Sequence, residues 1–172
     1  MPEIWDIYNE NGEKTGRFLT RGGDRRLEDG EFHLVVHVWI KNREGKYLIS
    51  QRSLSRPTFP LEWECVGGSV LAGESSLEGA LRETREEVGV TLDPEQGSVI
   101  FRKIRRVIGG KRFQDILDVW LFSYDGDADL SNATTPDEVE AVRWMSADEI
   151  KALYDAGKFV KNLVYFFSDI AE

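Results

Sequence analysis

Residues 75–90 constrain the fold more tightly than any other stretch of the chain. Leu77, Ala80, Leu81, Thr84 and Val88 recur at steps of three and four, which predicts an amphipathic helix from Ser75 to Val88 with its apolar face on a core. Ser75 with Glu78 three residues on fits a capping box, in which each side chain satisfies a free backbone N–H at the helix start. Gly89 fits the stop, because glycine enters the left-handed conformation of a helix end without steric cost. Glu83, Glu86 and Glu87 then stand at i, i+3 and i+4, so three carboxylates share one face, about 6 Å apart at Cβ. Like charges this close cost roughly 0.2–0.5 kcal/mol per pair unless something positive sits among them. Two accounts fit: a solvated face laced by the i,i+4 pairs Glu78–Arg82 and Arg82–Glu86, or a site for a hard divalent cation. The second follows from the preference of Mg2+ and Mn2+ for carboxylate and phosphate oxygens.

The chain is long enough to bury such a helix. With 172 residues, 41% apolar, it is expected to form one domain over residues 1–172. Ile4 to Tyr8 and Lys14 to Thr20, around Asn-Gly, predict an N-terminal β-hairpin that with its connecting loop occupies 1–30. His33 to Ile40 and Tyr47 to Ser50 read as strands, and the turn between them suggests a second hairpin in the core. Val99 to Ile108 and Phe113 to Tyr124 read as strands around Gly109-Gly110, and Val139 to Met145 as another. Ser146 to Ala156 predicts a helix capped by Ser146 and Glu149. Phe159 to Ile170 places Leu163, Phe166, Phe167 and Ile170 on one helical face. Strands mixed with a few helices imply an α/β or α+β domain.

Charge and cysteine usage exclude several function classes. A net charge of −9 disfavours general attachment to nucleic acid or anionic membranes. One cysteine, Cys65, forms no intramolecular disulfide, and with two histidines the usual structural zinc set is absent. No apolar run approaches the ~20 residues of a membrane span, and the first ten residues lack a signal pattern, so a cytoplasmic location is expected. His33 and His37 lie on a strand, where four residues span about 13 Å, too far to share an ion. P-loop, G-x-G-x-x-G and G-x-S-x-G patterns are absent.

The surroundings of the three glutamates favour the metal account. Gly68, five residues, Glu74, seven residues and then Arg82-Glu83-Thr84-Arg85-Glu86-Glu87-Val88-Gly89-Val90 resemble the Nudix box, here spanning 68–90. Thr84 replaces the usual aliphatic residue, and Val66 stands where many members have proline. The resemblance implies an α/β/α sandwich with a mixed central sheet. It also implies a Mg2+- or Mn2+-dependent hydrolase of phosphoanhydride bonds, acting on a small-molecule diphosphate such as a nucleoside diphosphate linked to another moiety. By the same resemblance Glu83, Glu86, Glu87 and the Gly67 carbonyl are metal ligands, while Arg82 and Glu74 orient the carboxylates. A further carboxylate is expected shortly before a tryptophan in a later strand, and of Asp137, Glu138 and Glu140 ahead of Trp144 the choice is Glu138, as ligand or general base. Members are often dimers, so a homodimer that exchanges the N-terminal hairpin is open to the chain.

Trp5-Asp-Ile-Tyr8 and Gly30-Glu-Phe-His33 are similar to the branch containing isopentenyl-diphosphate isomerase. That raises an isomerase as an alternative, although its Cys and His positions hold Gly67 and Ser69 here. A catalytically idle nucleotide sensor is the other alternative, and the complete carboxylate set argues against it. Arg102, Lys103, Arg105, Arg106, Lys111 and Arg112 place +6 within eleven residues and are candidates for a phosphate-binding cleft, as is Arg52. Trp5, Tyr8, Phe59, Trp63 and Phe113 are candidates to hold a base or a prenyl tail.

Overall fold

The computed structural model describes residues 1–108 and 110–171. The turn at Gly109 and the Lys111 side chain lie outside the described residues. β1 (Ile4–Tyr8) and β2 (Lys14–Thr20) form the expected N-terminal hairpin, in which Asn9 Oδ1 accepts from the Asn11 and Glu13 N–H groups.

The centre of the molecule is β3 (His33–Lys41), rich in β-branched and aromatic residues that suit a strand buried on both faces. It runs parallel to β8 (Lys111–Ser123) from His33↔Asp115 to Lys41↔Ser123. Its other edge takes β6 (Val66–Ser69) antiparallel and touches β4 (Tyr47–Arg52) only at Lys41↔Tyr47. The expected second hairpin is present but short, closed by a turn in which Asn42 N–H donates to Lys46 O and Gly45 N–H to Asn42 O. The edge of β3 is already occupied by β6, so β4 diverges and pairs with β5 (Trp63–Glu64) and β9 (Val139–Met145). β7 (Gly97–Ile108), antiparallel to β8, completes the order β5-β4-β3-β8-β7.

Strand alternation builds two cores. Val36, Val38 and Ile40 face α1 (Ser76–Val88), packing with Ala80 and Val88. On the opposite face Trp39 packs with Tyr47, Val119 and Ile150, the last from α2 (Ala147–Asp155). Trp39 also stacks on Phe166 at 4.6 Å between centroids. With helices on both faces of a mixed sheet, the fold is an α/β/α sandwich carrying an N-terminal hairpin.

Both capping boxes are present, at Ser75/Glu78 and Ser146/Glu149, and Gly89 closes α1 at φ 70°. The C-terminal segment departs from a continuous helix. Trp63 N–H donates to Lys158 O and Val160 N–H to Trp63 O, both at 2.9 Å, which keeps Phe159 extended. Lys161–Leu163 then forms a 3-10 turn, and α3 covers only Phe166–Asp169. Leu163, Phe166 and Ile170 are buried as the apolar spacing predicts. No helix among the described residues is long and apolar enough to cross a membrane.

Candidate active site

α1 presents its carboxylates because its other face is locked down. Thr84, the residue atypical of the box, is fully buried, and its hydroxyl donates to Ala80 O at 2.8 Å, so the helix carries it without an unsatisfied group. The Trp120 indole donates to Ser76 Oγ at 2.9 Å, tying the first turn to β8. At the other end Glu86 O accepts from the Thr134 and Thr135 N–H groups and from Thr135 Oγ1, which docks the loop carrying Glu138.

Arg82 organises the acids. Its Nε and Nη2 clamp Glu74 at 2.7 and 3.1 Å, and Nη2 also donates to Ser69 O at 2.8 Å. Its Nη1 is shared by Glu83 and Glu86, each at 3.0 Å. Among the described residues no three carboxylate, histidine or cysteine side chains are drawn together as a ready-made metal cluster, and Arg82 Nη1 sits between Glu83 and Glu86. Glu87 is 6% exposed, and its carboxyl has no hydrogen bond or ion pair among the described residues. Burial pushes the Glu83 carboxyl up to about 7 against the pull of Arg82. Burial, reinforced by Glu83, Glu64 and Glu138, holds Glu87 well above the usual carboxylate range. A Cβ on Gly68 would lie 2.3 Å from the Glu83 carboxyl, so only glycine lets that carboxylate fold against β6.

Glu83, Glu86, Glu87 and Glu138 line one cavity of about 160 Å³ together with Gly67 and Gly68. Arg56 lines it too and pairs with Glu138 at 2.7 Å, while Glu3 and Arg21 enter from the N-terminal hairpin. Gly67 and Gly68 also border a larger cavity of about 450 Å³. The backbone of β6 is thus a wall common to both. Phe59, Phe113, His37, Arg52 and Arg105 line the larger space. Arg52 is held by Glu64 at 2.8 Å and Arg105 by Asp115 at 2.6 and 2.7 Å.

The basic block does not converge. Arg102 stands opposite Asp118 and Arg105 opposite Asp115 across β7 and β8, so each guanidinium is neutralised by its cross-strand neighbour. The two project to opposite faces of β7, and only Arg105 reaches a cavity beside the acids. Arg106 pairs with Glu10 and Arg112 with Asp29, in a separate cavity near the hairpin. The expectation that Arg102 and Arg106 share a phosphate cleft is corrected accordingly. Of the aromatic candidates, Phe59 and Phe113 reach the larger cavity. Trp5 stacks on His33 at 4.2 Å, while Tyr8 and Trp63 belong to the cores.

A sequence model described as the NUDIX domain matches residues 31–165. The chain belongs to that family. It is 35% identical over 167 residues, 96% of this chain and 90% of the relative, to an uncharacterised Nudix hydrolase of Listeria monocytogenes. Its fold superposes on a crystal structure from Deinococcus radiodurans with TM-score 0.69 at 24% identity, covering 91% of each chain. It also resembles a bifunctional NMN adenylyltransferase/ADP-ribose pyrophosphatase of Francisella tularensis, solved with AMP and a Mn ion. There the TM-score is 0.59 at 22% identity, covering 80% of this chain and 40% of that one. Nudix hydrolases act on small-molecule diphosphates and the family generally uses divalent metals; the chain is a pyrophosphohydrolase.

Sequence reasoning missed Arg56, Glu64, Glu3 and Arg21. None belongs to a local motif, and they meet the acids only through tertiary pairing, as in Arg56–Glu138 across 82 positions.

Proposed function

We propose that the protein hydrolyses the diphosphate linkage of a nucleoside diphosphate-X or related small molecule with Mg2+ or Mn2+. In this reading Glu83, Glu86, Glu87 and the Gly67 carbonyl hold the metal. The observation that carries it is Glu87, a buried acid whose side chain has no hydrogen bond or ion pair among the described residues, in a cavity lined by four further glutamates, Glu3, Glu83, Glu86 and Glu138. Hard oxygen donors in this number fit Mg2+ or Mn2+. When bound, the cation neutralises phosphate oxygens and lowers the pKa of a coordinated water.

The chain's own residues do the rest. Arg82, fixed by Glu74, sets the position of Glu83 and Glu86. Glu138 takes the proton of the attacking water as that oxygen bonds to phosphorus and the bridging P–O bond breaks. Arg52 and Arg105 flank the larger cavity, which receives the group attached to the diphosphate. A cytoplasmic location suits the single buried Cys65.

The test is incubation with Mg2+ and ADP-ribose, nucleotide sugars, dinucleotides, coenzyme A, nucleoside triphosphates and isopentenyl diphosphate, with products identified by mass spectrometry. Cleavage that disappears in Glu86→Gln is the expected result. Rearranged isopentenyl diphosphate would replace this reading by the isomerase, and tight binding without turnover by the sensor.

A further inference from the structure

Three side chains behind the larger cavity form a chain of hydrogen bonds. Trp39 Nε1–H donates to Tyr165 Oη at 3.0 Å, and Tyr165 Oη lies 2.7 Å from His37 Nδ1. An indole nitrogen only donates, so the tyrosine oxygen accepts there, and the direction of its bond with Nδ1 goes with the histidine tautomer. With the tyrosine proton on the Nδ1 side, the neutral imidazole carries its own on Nε2, the tautomer on which the proposal below stands. Tyr165 is fixed in this role by edge-on contacts with Trp39 at 6.1 Å and Phe101 at 5.1 Å. Nε2 has no hydrogen-bond partner among the described residues and is not among the buried unsatisfied atoms, so it is open, and His37 lines the larger cavity.

The same cavity holds unusual backbone. Phe59 has φ 49°, and Gln114, next to Phe113, has φ 50°, left-handed values that cost non-glycine residues about 1 kcal/mol or more. Both aromatic walls are thus set by residues in costly conformations, the pattern of a binding surface rather than of filler. The two guanidinium groups in it, Arg52 and Arg105, are each occupied by a carboxylate.

We propose that His37 is a specificity residue: its Nε2–H donates to a neutral oxygen or nitrogen acceptor on the group attached to the diphosphate. Tyr165 and Trp39 are positioning residues that keep the proton on Nε2. The substrate class follows as a diphosphate bearing a sugar or nucleoside-like group rather than a pure hydrocarbon. This rests on the pyrophosphohydrolase reading above.

The chain has two histidines, so NMR of protein labelled at histidine nitrogen resolves both rings. His37 is expected with Nε2 protonated and Nδ1 bare, and Tyr165→Phe is expected to yield a mixture of tautomers. A wild-type His37 protonated on Nδ1 overturns the proposal. In kinetics with Mg2+, His37→Phe is expected to raise KM for ADP-ribose about tenfold, the worth of one hydrogen bond. Its kcat, and the inhibition constant of inorganic pyrophosphate, which lacks the attached group that His37 is proposed to contact, are expected to stay put. Tyr165→Phe shifts KM in the same direction by less. Equal loss of affinity for both probes, or no change for either, overturns the proposal. If the wild type cleaves no diphosphate, the hydrolase reading fails separately, and His37 is judged by adding ADP-ribose to the labelled protein. A shift at its Nε2 then supports the donor, and none overturns it.

Discussion

Glu87 is an acid kept out of water with no ion-pair partner among the described residues, an arrangement that costs stability in the metal-free protein. Glu87→Gln is therefore expected to melt higher than wild type in EDTA. Saturating Mg2+ should reverse the ranking, because only the wild type gains the binding free energy. Gly68→Ala tests the neighbouring contact. The new methyl meets the flexible end of Glu83, 2.3 Å away, so the carboxylate swings aside at small structural cost. We expect at least a tenfold loss of metal-dependent turnover with the melting temperature nearly unchanged, and a large drop in melting temperature would count against this account. These acids were legible in the sequence because one helical period sets their spacing. Arg56, Glu64 and His37 were not, because their partners come from other elements and no local pattern encodes those meetings.

At the scale of elements, legibility followed local signals. α1 carries a cap, an apolar stripe and a stop in the sequence itself, and α2 a capping box, and their bounds match expectation. β5 and β6, two and four residues long in a glycine-containing stretch, have no period to read and exist through their neighbours. The β3–β4 hairpin is short for a related reason: alternation predicts strands, but how far two strands pair depends on which edges are vacant. Ser75→Ala removes the acceptor for Glu78 N–H, a loss of about 1 kcal/mol in chemical denaturation. Gly89→Ala should cost more. It forces a methyl-bearing residue to φ 70° and brings Cβ within 2.5 Å of Asp129 O, in the segment packed against the end of α1. Because that segment leads on to Glu138, turnover is expected to fall along with stability.

For the whole molecule, protonation couples the site to stability. Glu83, raised from 4.5 to about 7, binds a proton in the folded state that the unfolded chain has released, so its contribution is full below 4.5 and lost as pH rises to about 7. His37 runs the opposite way. Burial, then Arg105, lowers it from 6.5 to about 3, so its contribution is present above 6.5 and lost as pH falls toward 3. Between 4.5 and 6.5 these two slopes, ~1.4 kcal/mol per pH unit each, cancel. His33, lowered by burial, acts in the direction of His37, while Glu64, raised by burial, acts in the direction of Glu83. Glu87, also raised by burial, adds to the side of the acids. Metal-free protein is thus expected to gain stability on acidification across that window. With saturating Mg2+, which keeps Glu83 and Glu87 ionised, it should lose stability instead. Thermal melts at several pH values in EDTA and in Mg2+ would show the reversal, and parallel curves would refute it. The parallel union of β3 with β8 carries a further consequence, for the order in which the chain acquires its shape. Residues 33–41 find their longest partner only at 115–123, so during synthesis the most apolar strand waits for most of the chain to emerge. The hairpin of β1 and β2, whose contacts are local, has no such wait. Until β8 arrives, β3 has an unpaired edge of the kind that recruits other chains, which makes the nascent protein a natural client for chaperones.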